Sequence, residues 1–169
     1  MRSWRKVSIF SVKTDAFGNR IDTLQDVLAY ICRSEVSSID TIYGANVSAM
    51  FPFYEMEALK AAYGATDRKA YYHYIFNPED TEEIDDETLY CAGREMAEFI
   101  GSFGGHYQVV MSVHHEEEGT SHIHLVASNT NIDNGRRMNL DRRGLYQMKQ
   151  GISSIAESYG ISPVRQYHG

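Results

Sequence analysis

Two alternating runs, Tyr107–His115 and Ser121–Asn129, flank the short polar segment Glu116–Thr120, and this constrains the chain more than any other feature. Runs of period two joined by so short a link read as an antiparallel hairpin. In a strand, alternate side chains share a face. Tyr107, Val109, Met111 and Val113 make the more apolar face of the first run, assigned to the core, and His106, Gln108, Val110, Ser112 and His114 the opposite one. In the second run His122, His124, Val126 and Ser128 project together, away from Ile123, Leu125 and Ala127. Antiparallel pairing then carries His114 toward His122 and His124.

The remaining segments supply further strands and a helical cover. Arg5–Val12 alternates as a half-buried strand does. After a turn at Phe17-Gly18-Asn19, Asp22 or Thr23 can cap a helix whose apolar residues Leu24, Val27, Leu28 and Ile31 fall at i, i+3, i+4 and i+7, with Tyr30 at the border of that stripe. Ile39–Val47 reads as a strand, Phe53–Tyr63 as a helix, and aromatic-rich Ala70–Phe76 as a strand closed by Asn77-Pro78. A long helix starts at Asp85 or Asp86 and stops near Gly101; the turn Asp133-Asn134-Gly135 precedes a last helix from about Asp141 to Tyr159. The order β α β α β α β β α predicts an α+β fold, an antiparallel or mixed central sheet covered by helices on one face. A chain of 169 residues, 43% hydrophobic, has enough apolar material for one domain over residues 1–169.

Several classes are disfavoured. No apolar run approaches the roughly 18 residues of a membrane helix, and the start of the chain leads into a strand-like stretch rather than a signal-peptide core, so membrane insertion and secretion are not expected. Cys32 and Cys91 each lie in a helical segment with no second cysteine nearby, which argues against disulfides and thiolate zinc and for a reducing cytoplasm. A net charge of −7 speaks against nucleic acid until its distribution is considered. Residues 1–20 hold five Lys/Arg against one Asp, residues 130–169 hold six against three acids, and the acidic excess falls between them, with seven acids from Glu79 to Glu87. The basic flanks include Arg5, Lys6 and Lys13 at one end and Arg136, Arg137, Arg142 and Arg143 at the other, all candidates for phosphate contact.

Four histidines within eleven residues concentrate ligand chemistry at the hairpin. His114, His122 and His124 on one face would make a three-imidazole site suited to Zn, Mn, Ni or Co with open positions for substrate oxygens or water. His115 has the wrong parity unless the strand bulges there, and is then the alternative third ligand. Glu116 shares the parity of His114 and could orient a ligand or accept a proton.

With these residues in hand, the sequence resembles the MobA-type relaxase/mobilization nuclease family of the HUH endonuclease superfamily, over about residues 4–163. Leu24–Ile31 (LQDVLAYI) is similar to the N-terminal motif that carries the nucleophilic tyrosine, Tyr71–Asn77 (YYHYIFN) to the central histidine-containing strand, and Tyr107–Asn131 to the metal motif. Gly135-Arg136-Arg137 and the helix ending at Tyr159-Gly160-Ile161 also fit. Ser128 stands where the family usually has Asn, with Asn129 and Asn131 close by. The resemblance implies a ferredoxin/RRM-like HUH fold, Tyr30 as nucleophile, Glu116 at an acidic position, His114, His122 and His124 as ligands of a divalent ion of the Mn, Mg or Zn class, and an isolated catalytic domain. It further implies nicking and strand transfer of single-stranded DNA at an origin of transfer, with or without an adjacent DNA hairpin, through a 5′-phosphotyrosine intermediate that stores the phosphodiester energy. The implied partners are a relaxosome accessory protein and a type IV secretion coupling protein. The implied place is the bacterial cytoplasm, with passage into the recipient alongside the DNA.

Two other readings compete. Tyr146-Gln147-Met148-Lys149 has the Y-x-x-K form used by replication initiators and transposases of the same superfamily, which would make Tyr146 the nucleophile. Paired histidines also occur in cupin-like hydrolases and oxygenases of small molecules.

Overall fold

The computed structural model describes residues 7–13, 23–33, 37, 39–65, 69–79, 84–115 and 121–165. They form β1 (Ile9–Lys13), α1 (Leu24–Ile31), β2 (Ile42–Ala45), α2 (Pro52–Ala62), β3 (Tyr71–Asn77), α3 (Asp86–Gly101), β4 (Val109–His114), β5 (His122–Ser128) and α4 (Arg142–Ser158). The five strands make one sheet in the order β1-β3-β5-β4-β2, antiparallel at every step. The expected hairpin is present as β4 and β5, in a register that sets His114 opposite His122 and Ser112 opposite His124. β5 therefore has a paired neighbour on each side.

The helices begin where side chains can satisfy their first free N–H groups. Thr23 and Asp26 form a reciprocal capping box at α1, Asp85 accepts from the Thr88 N–H at 2.7 Å, and Asp141 accepts from the Gly144 N–H at 2.7 Å. α2 starts at Pro52, whose fixed φ suits the first helical position, one residue before the expected start. β2 is shorter than the predicted Ile39–Val47. A 3₁₀ turn at Ile39–Thr41 precedes it, and Asn46 ends it at φ 57°, a left-handed conformation that cannot continue a ladder. The part of the predicted first strand before Val7, and the turn at Phe17-Gly18-Asn19, lie outside the described residues.

The main core lies between the sheet and the pair α3 and α4, where Leu89, Met96, Ile100, Met148 and Ile152 bury against Phe76, Met111, Val113, Ile123 and Leu125. Each such side chain removed from water contributes about 1.5–3 kcal/mol. Tyr72 and Tyr74 share this side, Tyr74 fully buried and stacked on Phe10 at 5.5 Å and Tyr72 partly buried against the same core. α3 and α4 thus provide the cover expected on one face. A second, smaller cluster adds cover to the other face: Leu24, Val27, Leu28 and Ile31 of α1 and Met56 of α2 close over Val110 and Val126. That placement brings α1 to the side of the sheet where the even-numbered histidines project.

Candidate functional site

Three neighbouring strands build the site. His114 from β4 and His122 and His124 from β5 converge on the α1 side of the sheet, with ring centroids 4.1 Å apart for His114 and His124, 4.7 Å for His122 and His124, and 5.5 Å for His114 and His122. One ligand nitrogen from each of the three lies within 4.8 Å of the others, close enough to share one ion. His114 and His124 are buried and His122 is half-buried, so the cluster opens outward through His122.

The hydrogen bonds around the rings decide which nitrogens keep lone pairs. His114 Nε2 donates to the Ile31 carbonyl at 2.8 Å, one of the carbonyls left over at the end of α1, so the His114 lone pair resides on Nδ1. His124 Nδ1 is 2.8 Å from His73 Nε2 on β3, while His124 Nε2 is buried with no hydrogen-bond partner among the described residues. A buried nitrogen left bare is costly unless something occupies its lone pair. Burial foremost, then the neighbouring His114, His73, His122 and Lys13, lowers the His124 pKa to about 2. Burial, followed by Lys13 and His114, lowers that of His73 to about 4. Both rings are therefore neutral near pH 7, the state in which imidazole binds metals. The donor set fits a divalent ion.

Tyr30, in the last turn of α1, lies edge-on to this cluster, its ring centroid 5.6 Å from those of both His114 and His124. It is 36% exposed, enough to meet a substrate from solvent. The Arg33 guanidinium stands over the Tyr30 ring at 4.6 Å and the Lys13 ammonium at 5.5 Å. Cys32, two residues after Tyr30, has its thiol pushed up to about 11 by burial and stays protonated.

The other candidates are distributed as follows. His115 points away from the cluster, its Nδ1 hydrogen-bonded to Ser121 Oγ at 2.9 Å and 3.4 Å from Asp86 Oδ1, so the strand does not bulge to bring it in. Ser128 is buried and its Oγ accepts from the Thr130 N–H at 3.4 Å. Asn129 is a structural clasp, donating to the Lys69 carbonyl and accepting from the Met138 N–H. Arg136 and Arg137 are exposed beyond the far end of β5, about 20 Å along that strand from His122. Arg142 and Arg143 are exposed in the first turn of α4, in the helical layer across the sheet from the imidazoles. The structure does not bring these four arginines to the cluster. Arg5, Lys6 and Glu116 lie outside the described residues. Tyr146 is on α4, exposed and accepting from Gln150 Nε2 at 2.9 Å, with the sheet between it and the histidines.

Two residues were missing from the sequence reading of the site. Arg33 follows Tyr30 by three positions but lies just past the C-cap of α1 at Cys32, where helical spacing does not predict its contact with the ring. His73 lies in the strand singled out above, and its alternation with core residues Tyr74 and Phe76 does not announce a site. Only the pairing of β3 with β5, which sets His73 opposite Val126 and two pairs along from His124, on the same face of the sheet, joins it to the cluster.

A single antiparallel sheet with converging imidazoles on one face and a tyrosine at their edge is not the double-sheet jelly roll of a cupin. A family model for the nuclease domain of MobA/VirD2-like relaxases matches residues 30–161, and the chain belongs to that family. It is a DNA-nicking enzyme. Among solved structures, the chain is similar to the relaxase domain of MobM (MOBV; Mob_Pre), determined with Mn and with oriT DNA of plasmid pMV158. That likeness has a TM-score of 0.60 and 12% identity, covers 96% of this chain and 91% of the other, and concerns the fold. No curated protein matches the chain. Among the described residues no helix is long and apolar enough to cross a membrane.

Proposed function

We propose that this chain is one catalytic domain that nicks and rejoins a single DNA strand at an origin of transfer, with Tyr30 as the nucleophile. The observation that carries this reading is the edge-on contact of Tyr30 with both His114 and His124 at 5.6 Å. The phenol oxygen bonds to the scissile phosphorus as the bond to the 3′ oxygen breaks. The phenol proton leaves to a base, the 3′ oxygen takes up a proton, and the 5′ phosphate stays on Tyr30 as a diester. Reversal by a 3′-hydroxyl restores the strand without ATP.

His114, His122 and His124 would hold a divalent cation. When bound, it supplies positive charge beside the non-bridging oxygens of the phosphate. Nitrogen donors favour Mn or Zn over Mg, and the MobM relaxase domain carries Mn. Arg33 and Lys13 present cations at the ring of the nucleophile, where a phosphate would add negative charge. Arg136, Arg137, Arg142, Arg143, Arg5 and Lys6 would grip the strand away from the scissile bond, and Glu116 would serve the proton or ligand chemistry. DNA at an origin of transfer is what MobM is seen to bind, and relaxosome accessory and coupling proteins complete the same reading, in a bacterial cytoplasm and onward with the DNA.

The test is incubation with single-stranded DNA spanning the element's own transfer origin and Mn(II), followed by denaturing electrophoresis. An SDS-resistant adduct that Tyr30→Phe abolishes and Tyr146→Phe retains is the expected result. The reverse pattern transfers the chemistry to Tyr146.

A further inference from the structure

The hydrogen bond between His73 Nε2 and His124 Nδ1 is buried, 2.8 Å long, and made by two rings each under 5% exposed. A bond between two ring nitrogens holds one proton, which belongs to one ring or the other. If His73 donated, His124 would need its own proton on Nε2, where it would be buried without an acceptor, because that nitrogen has no hydrogen-bond partner among the described residues. If His124 donates, its lone pair falls on Nε2, on the side away from His73. His114 shows the same logic, with the Ile31 carbonyl taking its Nε2 proton. Each buried ring is thus fixed by an acceptor from a different part of the fold.

We propose that His73 is a positioning residue: its Nε2 accepts the Nδ1–H of His124 and so holds the His124 lone pair toward His114 and His122. This rests on the reading of those three histidines as metal ligands. The acceptor behind a metal-binding imidazole sets its tautomer and raises its basicity. Here the acceptor is itself an uncharged imidazole, so it orients His124 without cancelling any of the charge that a bound cation presents to DNA. A carboxylate in that place would bind the ion more tightly and make it a weaker electrophile.

The full-length chain is titrated calorimetrically with Mn(II). His73→Phe keeps the ring and removes the acceptor, and is expected to weaken Mn(II) binding by about 10- to 100-fold. His73→Gln, whose amide oxygen accepts, restores most of the affinity, and His73→Asp binds more tightly than the wild type. Wild-type affinity in His73→Phe overturns the inference. His124→Ala monitors the reading beneath it: if that variant binds Mn(II) as well as the wild type, the ligand assignment has failed independently of His73. Long-range proton–nitrogen NMR spectra of the histidine rings in the metal-free wild type need neither a variant nor an ion. They should show His124 protonated at Nδ1 and His73 bare at Nε2. Protonation of His124 at Nε2 rejects the proposal whatever the titrations give.

Discussion

His114 Nε2 donates to the carbonyl of Ile31 at 2.8 Å, tying the metal-binding cluster to the residue that follows Tyr30. The bond spans 83 residues of sequence and satisfies a helix-end carbonyl at the same time. The position of the phenol is thus fixed by one of the rings it must work beside. Loss of that ring should be felt twice. His114→Ala is expected to abolish tight Mn(II) binding in calorimetry, and to destabilise the fold by about 2–4 kcal/mol in urea titration, through the cavity left behind and an Ile31 carbonyl left with only the 3.4 Å bond from Ser37 Oγ.

His122 offers the contrast, because it is half-buried at the open side of the cluster. His122→Ala should lower Mn(II) affinity at least about 10-fold while changing the urea midpoint by less than about 1 kcal/mol equivalent. Equal stability losses in His114→Ala and His122→Ala would contradict the asymmetry described here.

Tyr30→Phe retains the ring that packs on His114, His124 and Arg33 and removes only the oxygen. Thermal stability and Mn(II) affinity should stay at wild-type levels, while adduct formation on single-stranded DNA falls by about 1,000-fold or more.

Arg33 contacts the nucleophile's ring but none of the imidazole ligands is its partner in that contact. Arg33→Ala should therefore slow strand cleavage by about 10-fold under single-turnover conditions at low salt, with a deficit that narrows as salt is added, and leave Mn(II) binding unchanged. A loss of metal affinity in this variant would mean that Arg33 acts through the cluster.

The depressed pKa values of His73 and His124 make a signed prediction for the metal-free protein. Both groups titrate near 6.5 when unfolded and at about 4 and about 2 when folded. Below pH 6.5 the unfolded chain binds protons that the folded chain refuses, so stability is full above that value and falls as the pH is lowered toward 4. The slope is on the order of 1 kcal/mol per pH unit for each ring. Lys13, His114 and His122 face these rings and act in the same direction. Urea unfolding in EDTA from pH 7.5 to 4.5 measures the slope, and Mn(II) should raise stability most at the neutral end and steepen the slope, because a bound ion keeps protons off the folded ligands.

Much of this site follows from side-chain parity. Once Tyr107–His115 and Ser121–Asn129 are read as paired strands, alternation alone places His114, His122 and His124 together and sends His115 to the other side, and the structure agrees at each position. The buried stripe of α1 is equally legible, because Leu24, Val27, Leu28 and Ile31 have one helical face and Thr23 has its cap. His73 was not, since its role comes from the order β1-β3-β5-β4-β2, and strand order depends on long-range pairing that no local pattern encodes. The second layer over the histidine face was hidden for a related reason. α2 buries only Met56, too few apolar positions to reveal which side of the sheet it covers. Gly44 shows the same limit on a smaller scale: a Cβ there would run into the carbonyl of Val47, a constraint visible only once the chain has turned back at Asn46.

β5, enclosed by β3 and β4, is the middle strand of the sheet, whereas α1 is an eight-residue helix resting on the outside of the sheet. The electrophilic half of the machinery is thus bolted to the chassis and the nucleophilic half is hung on a bracket. The bracket is pinned by the bond from His114 to the Ile31 carbonyl, so any disturbance of the anchorage for the ion is carried straight to the phenol.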